Sequence, residues 1–276
     1  MKIPKVGSCA ICLAYGELTK EDVVPVWYRA AMAQASALPG DQPPRTYLGL
    51  CAPCNSRSAR LFEDTAAPIL KGMIQRTRSE LSPADQRLVA RWRVKTDLLQ
   101  RLWVVEQEGS PKERKYHRIR QLAQRMIHNG GHIPPNCSVQ IARRDPTKPR
   151  PRGINLIDAA RPDGTYLHTI TRVTSFFMIT TIDSDPKSFK SFVANWAKEE
   201  ALLLIWPPRE DTLSYPFSAG VSEDVLEDAR KKLGHVTALK IGGPYGALYS
   251  AGQRVEPEQY AWSVRRRPPV DPAAFE

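Results

Sequence analysis

The chain has 276 residues, enough for one large domain or two modest ones, and its 42% hydrophobic and 25% charged residues match an ordinary globular composition. No apolar run approaches the ~18–20 residues of a membrane span, and the lysines of residues 1–7 precede no apolar leader segment. A cytoplasmic protein that contacts no membrane is expected, so its five cysteines need an explanation other than disulfides.

In chain order, residues 1–60 are turn-rich and carry four of the five cysteines. An Ala-rich stretch runs to Ala37, residues 38–45 form a Pro/Gly loop, and residues 47–50 are a short strand candidate. A helix is expected to begin near Asn55 and to be interrupted or restarted at Pro68. Ser82-Pro83-Ala84-Asp85 offers an N-cap serine, a proline at the first helical position and an acid in the first turn. Leu88, Trp92, Leu99, Leu102 and Trp103 then share one face. Lys95 falls on that same face, and its expected role is a packed stem whose ammonium reaches a carboxylate or water. Ser110 to Glu113 reads as a second capping box, followed by the apolar stripe Tyr116, Ile119, Leu122, Ala123, Met126 and Ile127 and a Gly130-Gly131 stop. Residues 138–143, 154–159, 166–174, 175–182 and 201–206 are strand-like, with helices expected at 185–200 and 222–232. Residues 145–153, 242–246 and 260–276 read as loop, turn and frayed tail, and Cys137 as a small packed residue.

Cys9-Ala-Ile-Cys12 and Cys51-Ala-Pro-Cys54 are two C-x-x-C pairs with 38 residues between them. Each pair fits one tight turn, and two such turns build the tetrahedral sulfur cage that zinc prefers. The separation exceeds that of the commonest four-cysteine pattern, so a structured insert is expected between the pairs. Four buried free thiols are the alternative, and one that leaves the pairing unexplained. A redox dithiol would need a thioredoxin-like strand-to-helix context that neither pair has.

The net charge of +11 is not spread evenly. Residues 71–160 hold 19 basic and 8 acidic side chains, against 7 and 6 before them and 14 and 15 after. Such a localised field selects a polyanion, because each cation near a phosphate releases counterions. Arg outnumbers Lys here, and guanidinium forks match phosphate geometry. Arg114, Lys115, Arg118, Arg120 and Arg125 are the candidate nucleic-acid contacts. A solvated basic face is the alternative.

The run Cys9-x-x-Cys12, then Leu18-Thr19-Lys20-Glu21-Asp22-Val23-Val24-Pro25-x-Trp27, then Leu50-Cys51-x-x-Cys54-Asn55 and a helix with Glu63 resembles the HNH endonuclease superfamily. It is most similar to bacterial HNH proteins in which C-x-x-C, E-H-V-I-P-x-W and C-x-x-C-N follow one another. The resemblance implies a ββα-metal fold around a catalytic Mg²⁺ or Mn²⁺, with structural zinc on Cys9, Cys12, Cys51 and Cys54. Glu21 matches the acidic metal ligand, Asn55 the terminal Asn/His position and Glu63 a glutamate of the narrower group. The position of the general-base histidine is Asp22. With a reference pKa of ~3.9 against ~6.5, aspartate is the weaker base. Glu21 and Asp22 together are an alternative cation site.

The expected architecture is α+β: a zinc-bound HNH-like module at 1–78, a basic helical segment at 79–132 and a strand-rich domain at 133–276. The expected function is nucleic-acid binding, DNA ahead of RNA, with weak or degenerate nuclease activity. The alternatives are an active endonuclease in which Asp22 or a helix residue such as His117 or His128 replaces the base, and a structural or regulatory protein whose basic belt contacts an acidic partner. The sequence leaves the oligomeric state open.

Overall fold

The computed structural model describes residues 5–35, 46–108, 113–143 and 202–214, with strand segments at 154–155, 157–159, 166–172, 176–183, 240–241, 248–250 and 253–255. The expected helices at 185–200 and 222–232, the loops at 38–45 and 145–153, the glycine-rich turn and the tail lie outside these residues, as does the serine of the second capping box.

The fold mixes helices and strands. β1 (Val6–Ser8) pairs antiparallel with β2 (Tyr15–Glu17) around the first cysteine turn. β3 (Thr19–Asp22) leads through α1 (Val26–Ala35) to β4 (Tyr47–Leu50), and β3 and β4 pair antiparallel with Glu21 opposite Leu48 and Asp22 opposite Tyr47. α2 (Ala52–Ser58) follows directly, starting on Pro53 near its N-terminus, where the missing N–H costs nothing. One π-helical turn, Ala59–Glu63, joins α2 to α3 (Asp64–Ile74). The helix therefore runs through Pro68 rather than breaking there. The irregularity falls upstream, because a proline ring crowds the carbonyl four residues before it, here Asp64 at the edge of the wide turn.

After β5 (Glu80–Leu81) comes α4 (Pro83–Glu108), capped as its sequence indicates. Asp85 N–H donates to Ser82 Oγ at 3.2 Å and Ser82 N–H donates back to Asp85 Oδ2 at 3.0 Å, a reciprocal box. α5 (Glu113–His128) ends at Gly130 and Gly131, both at positive φ. A Cβ on Gly131 would collide with the Arg91 guanidinium, which donates to Gly130 O and ties α5 back to α4.

β6 (Cys137–Arg143), β7 (Ile154–Asn155), β8 (Ile157–Ala159), β9 (Tyr166–Arg172), β10 (Phe176–Asp183) and β11 (Leu202–Trp206) follow, then the short β12 (Leu213–Ser214), β13 (Lys240–Ile241), β14 (Leu248–Ser250) and β15 (Gln253–Val255). Five of them form an antiparallel sheet in the order β11-β6-β10-β9-β8.

α4 is the axis of the described fold. It packs on α3, the π turn and β4 on one side and on β6, β10 and β11 on the other. One apolar core runs from Ile11 and Leu50 through Phe62, Trp92 and Leu99 to Val139 and Ile205. Leu88 and Trp103 are only half-buried, while Arg93, Lys95, Thr96, Asp97, Gln100 and Arg101 are buried. The polar side of this helix therefore faces protein, not water. Arg93 and Lys95 point in nearly opposite directions, since two helical residues subtend ~200°. Arg93 pairs with Asp97 at 2.6 Å and donates to Thr180 Oγ1 of the sheet at 3.1 Å, whereas Lys95 turns toward the N-terminal elements. Cys137 is buried as expected, and burial together with the Asp97 carboxylate pushes its thiol well up.

Candidate metal centre and the carboxylate seam

The first cysteine turn is built by local backbone bonds. Cys9 N–H donates to Ala14 O and Leu13 N–H to Cys9 O, each at 3.0 Å, and Leu13 takes a positive φ to close the turn. Ala10 N–H donates to Gly49 O at 3.0 Å, which docks this turn on β4 just before the second pair. The second pair, contrary to the sequence expectation, sits at a strand-to-helix junction between β4 and α2: Cys51 is the N-cap and Cys54 lies in the first turn. The four Sγ atoms lie within 4.8 Å of one another, and Cys12 and Cys51 are 3.7 Å apart. A tetrahedron with Zn–S bonds of ~2.3 Å has edges of ~3.8 Å. All four cysteines are free thiols, so the cluster fits a metal ion, and zinc suits an all-sulfur set.

The surroundings treat the sulfurs unequally. Burial pushes Cys9 up, but backbone N–H groups of Cys12, Cys51 and Ile11 aimed at it outweigh burial and hold it below the usual thiol range. Burial and the Cys51 thiol push Cys54 far up. A shared divalent ion offsets that cost by taking the thiolate as ligand. Against Cys54 lies a residue that motif spacing did not select. His128 Nε2 of α5 is 3.3 Å from Cys54 Sγ, and Arg57 Nη1 of α2 is 3.2 Å from His128 Nδ1. His128 thus folds onto the cysteine cluster and not onto the carboxylates. No local pattern marks this contact, because 74 residues separate the partners.

The carboxylates occupy the seam between β3 and α2. Exposed Thr19 and buried Glu21 share one face of β3, with Leu50 and Leu48 as their partners on β4. Asn55 Nδ2 donates to Thr19 Oγ1 at 2.8 Å, and Thr19 Oγ1 donates to Leu50 O at 2.9 Å. One helical turn further along α2, Ser58 Oγ donates to Glu21 Oε1 at 3.2 Å. Asn55 and Glu21 thus lie along one seam, Asn55 bonded to Thr19 and Glu21 to Ser58, with Thr19 and Glu21 ~6.6 Å apart along the strand.

A cation already stands in that seam. Lys95 Nζ, 1% exposed, lies 2.7 Å from Glu63 Oε1 and 3.5 Å from Glu21 Oε1. Burial pushes the Glu21 carboxyl up, Lys95 pulls it down and Glu63 pushes it up again. The packed lysine stem with its ammonium on a carboxylate is what the sequence indicated for Lys95.

Asp22 does not join this group. Consecutive side chains of a strand point to opposite faces, and Asp22 forms an ion pair with Arg29 of α1 at 2.8 Å. Arg29 Nη1 also donates to Val24 O at 2.9 Å. Adjacent numbering therefore does not make Glu21 and Asp22 a joint cation site: Glu21 faces Lys95 and Asp22 faces Arg29.

Of the proposed nucleic-acid contacts, Arg125 is exposed and Arg118 and Arg120 are half-exposed on α5, which also carries Arg114 and Lys115. Three other cations of the positive segment, Arg93, Lys95 and Arg101, are interior and out of reach of a phosphate. Among the described residues, no helix is long and apolar enough to cross a membrane.

No family model, curated protein or solved structure matches the chain. The likeness to HNH proteins is thus a resemblance of the motif residues between 9 and 63.

Proposed function

We propose that the protein is a zinc-stabilised, HNH-related module that binds nucleic acid, DNA ahead of RNA, through its basic helix, and that its hydrolytic site has lost the ability to hold a catalytic ion. An antiparallel strand pair followed by a helix, with two cysteine turns clasping its base, supports the HNH relationship. The observation that carries the loss of catalysis is Lys95. Its ammonium stands between Glu21 and Glu63, where a divalent ion bound by Glu21 would need those carboxylate oxygens. Asp22, at the general-base position, is neutralised by Arg29 on the far face of β3. Without a metal to stabilise developing charge and a base to take the water's proton, phosphodiester hydrolysis loses both of its main contributions. A charged helix face that meets phosphates survives such a loss.

One set of measurements tests this reading. Duplex DNA affinity should fall steeply with salt, and reversing Arg114, Lys115 and Arg118 together should weaken binding and flatten the slope of log K against log salt. Incubation with Mg²⁺ or Mn²⁺ should give little or no cleavage. Robust cleavage abolished by Glu21→Ala would instead establish the active endonuclease. Absence of DNA binding at low salt would leave the structural or regulatory role.

A further inference from the structure

We propose that His128 is an outer-sphere hydrogen-bond donor to the Cys54 thiolate, so that zinc binding and the docking of α5 are one linked event. The inference rests on the zinc reading of the four cysteines. A guanidinium has only donors. Arg57 Nη1, 3.2 Å from His128 Nδ1, therefore fixes Nδ1 as the acceptor. In the neutral ring the proton then sits on Nε2, which faces Cys54 Sγ at 3.3 Å. Four thiolates around one Zn²⁺ leave a net charge of −2 on the sulfurs, and N–H donors disperse it. Cys9 receives such donors from the backbone, whereas Cys54, 1% exposed, receives one from another helix. Outer-sphere partners of this kind typically change metal affinity ~10–100-fold.

The bond also joins two parts of the chain. His128 occupies the last turn of α5, and the Gly130 carbonyl just beyond it is held by Arg91 of α4. The end of the basic helix is thus clamped between the metal centre and the central helix. Loosening the sulfur cluster releases the C-terminal end of the helix, whose Ile119, Met126 and Ile127 stay in the core, and by reciprocity displacement of that end weakens the metal.

The test compares the full-length wild-type protein with His128→Ala and His128→Gln. Zinc affinity is measured by competition with a chromogenic chelator, coordination by X-ray absorption, and the order of residues 113–128 by amide hydrogen exchange. His128 is exposed, so both variants keep their core. The expected result is four-sulfur zinc in all three proteins. His128→Ala should bind zinc ~10-fold or more weakly and show faster exchange in α5. His128→Gln, whose amide still donates, should stay near wild type. A three-sulfur, one-nitrogen centre in wild type would make His128 a direct ligand and overturn the proposal. So would His128→Gln matching His128→Ala, or zinc affinity and α5 exchange in His128→Ala within twofold of wild type. Wild-type protein that takes up no zinc would overturn the zinc reading and this proposal together. A four-sulfur site indifferent to His128 overturns this proposal alone.

Discussion

Lys95 sets the energetics of the carboxylate seam. Taking its charge away while leaving Glu21 and Glu63 in place strands buried negative charge, which typically costs ~3–5 kcal/mol. Lys95→Met should therefore lower urea stability by about that amount, whereas a surface substitution such as Arg87→Met should stay within ~0.5 kcal/mol. Glu21 adds a pH signature. Its folded-state pKa is raised, chiefly by burial, so between the unfolded and the folded value the folded protein binds more proton there than the unfolded chain. The stability linked to that proton is fully present below the unfolded value of 4.5 and is lost as pH rises through the folded pKa. Glu21→Gln removes this dependence. Its stability relative to wild type should thus become more favourable as pH rises from about 4 toward neutrality, as urea melts at several pH values will register. A difference that is flat with pH, or runs the other way, would contradict the assignment. At this scale the sequence displayed the lysine on an apolar face and the acidic pair, but not their partners. Lys95 reaches Glu63 across 32 residues and Glu21 across 74, distances over which no local pattern carries information.

The elements were the most legible level. Strands rich in β-branched residues, the Ser82 cap and the double-glycine stop follow from local preferences, because short-range sterics and hydrogen bonds decide them. The π turn did not follow. A proline forbids one hydrogen bond, but where the helix takes up the distortion depends on packing, here around buried Phe62. Two measurements check these elements. Ser82→Ala removes the acceptor for Asp85 N–H and should cost ~1 kcal/mol. Gly131→Ala must place a Cβ at positive φ and displace Arg91, so ~1–3 kcal/mol of strain is expected, with α5 amides exchanging faster near His128.

Across the whole molecule, the order β11-β6-β10-β9-β8 and the placement of α4 between the sheet and the N-terminal elements lay beyond sequence patterns, since non-local pairing decides them. The seven described polar residues of α4 that are buried, Gln86 among them, obscured its centrality: a helix with a polar face reads as a surface helix, yet here that face meets other protein. The continuous core has a thermodynamic corollary. Cys51→Ser should lose the metal and destabilise the sheet as well as the N-terminal elements. Tryptophan fluorescence and far-UV circular dichroism should then report one shared transition, displaced to lower denaturant. Two separate transitions would mean that α4 does not transmit the loss.

The β3–β4 pair also bears on the time course of folding. Its strands are four residues each and are separated by the 24 residues 23–46, so pairing them means closing a long loop for few bonds. The cysteine turns sit just outside that loop, with Cys12 and Cys51 39 positions apart. An ion captured early by both turns would close the loop before the strands meet, a constraint that a disulfide of that span would make worth about 4 kcal/mol in chain entropy. Strand pairing then becomes a local search. Refolding started with zinc present should accordingly be faster than refolding in chelator followed by late addition of zinc. The two protocols, compared by stopped-flow fluorescence, should converge on the same final state by different routes.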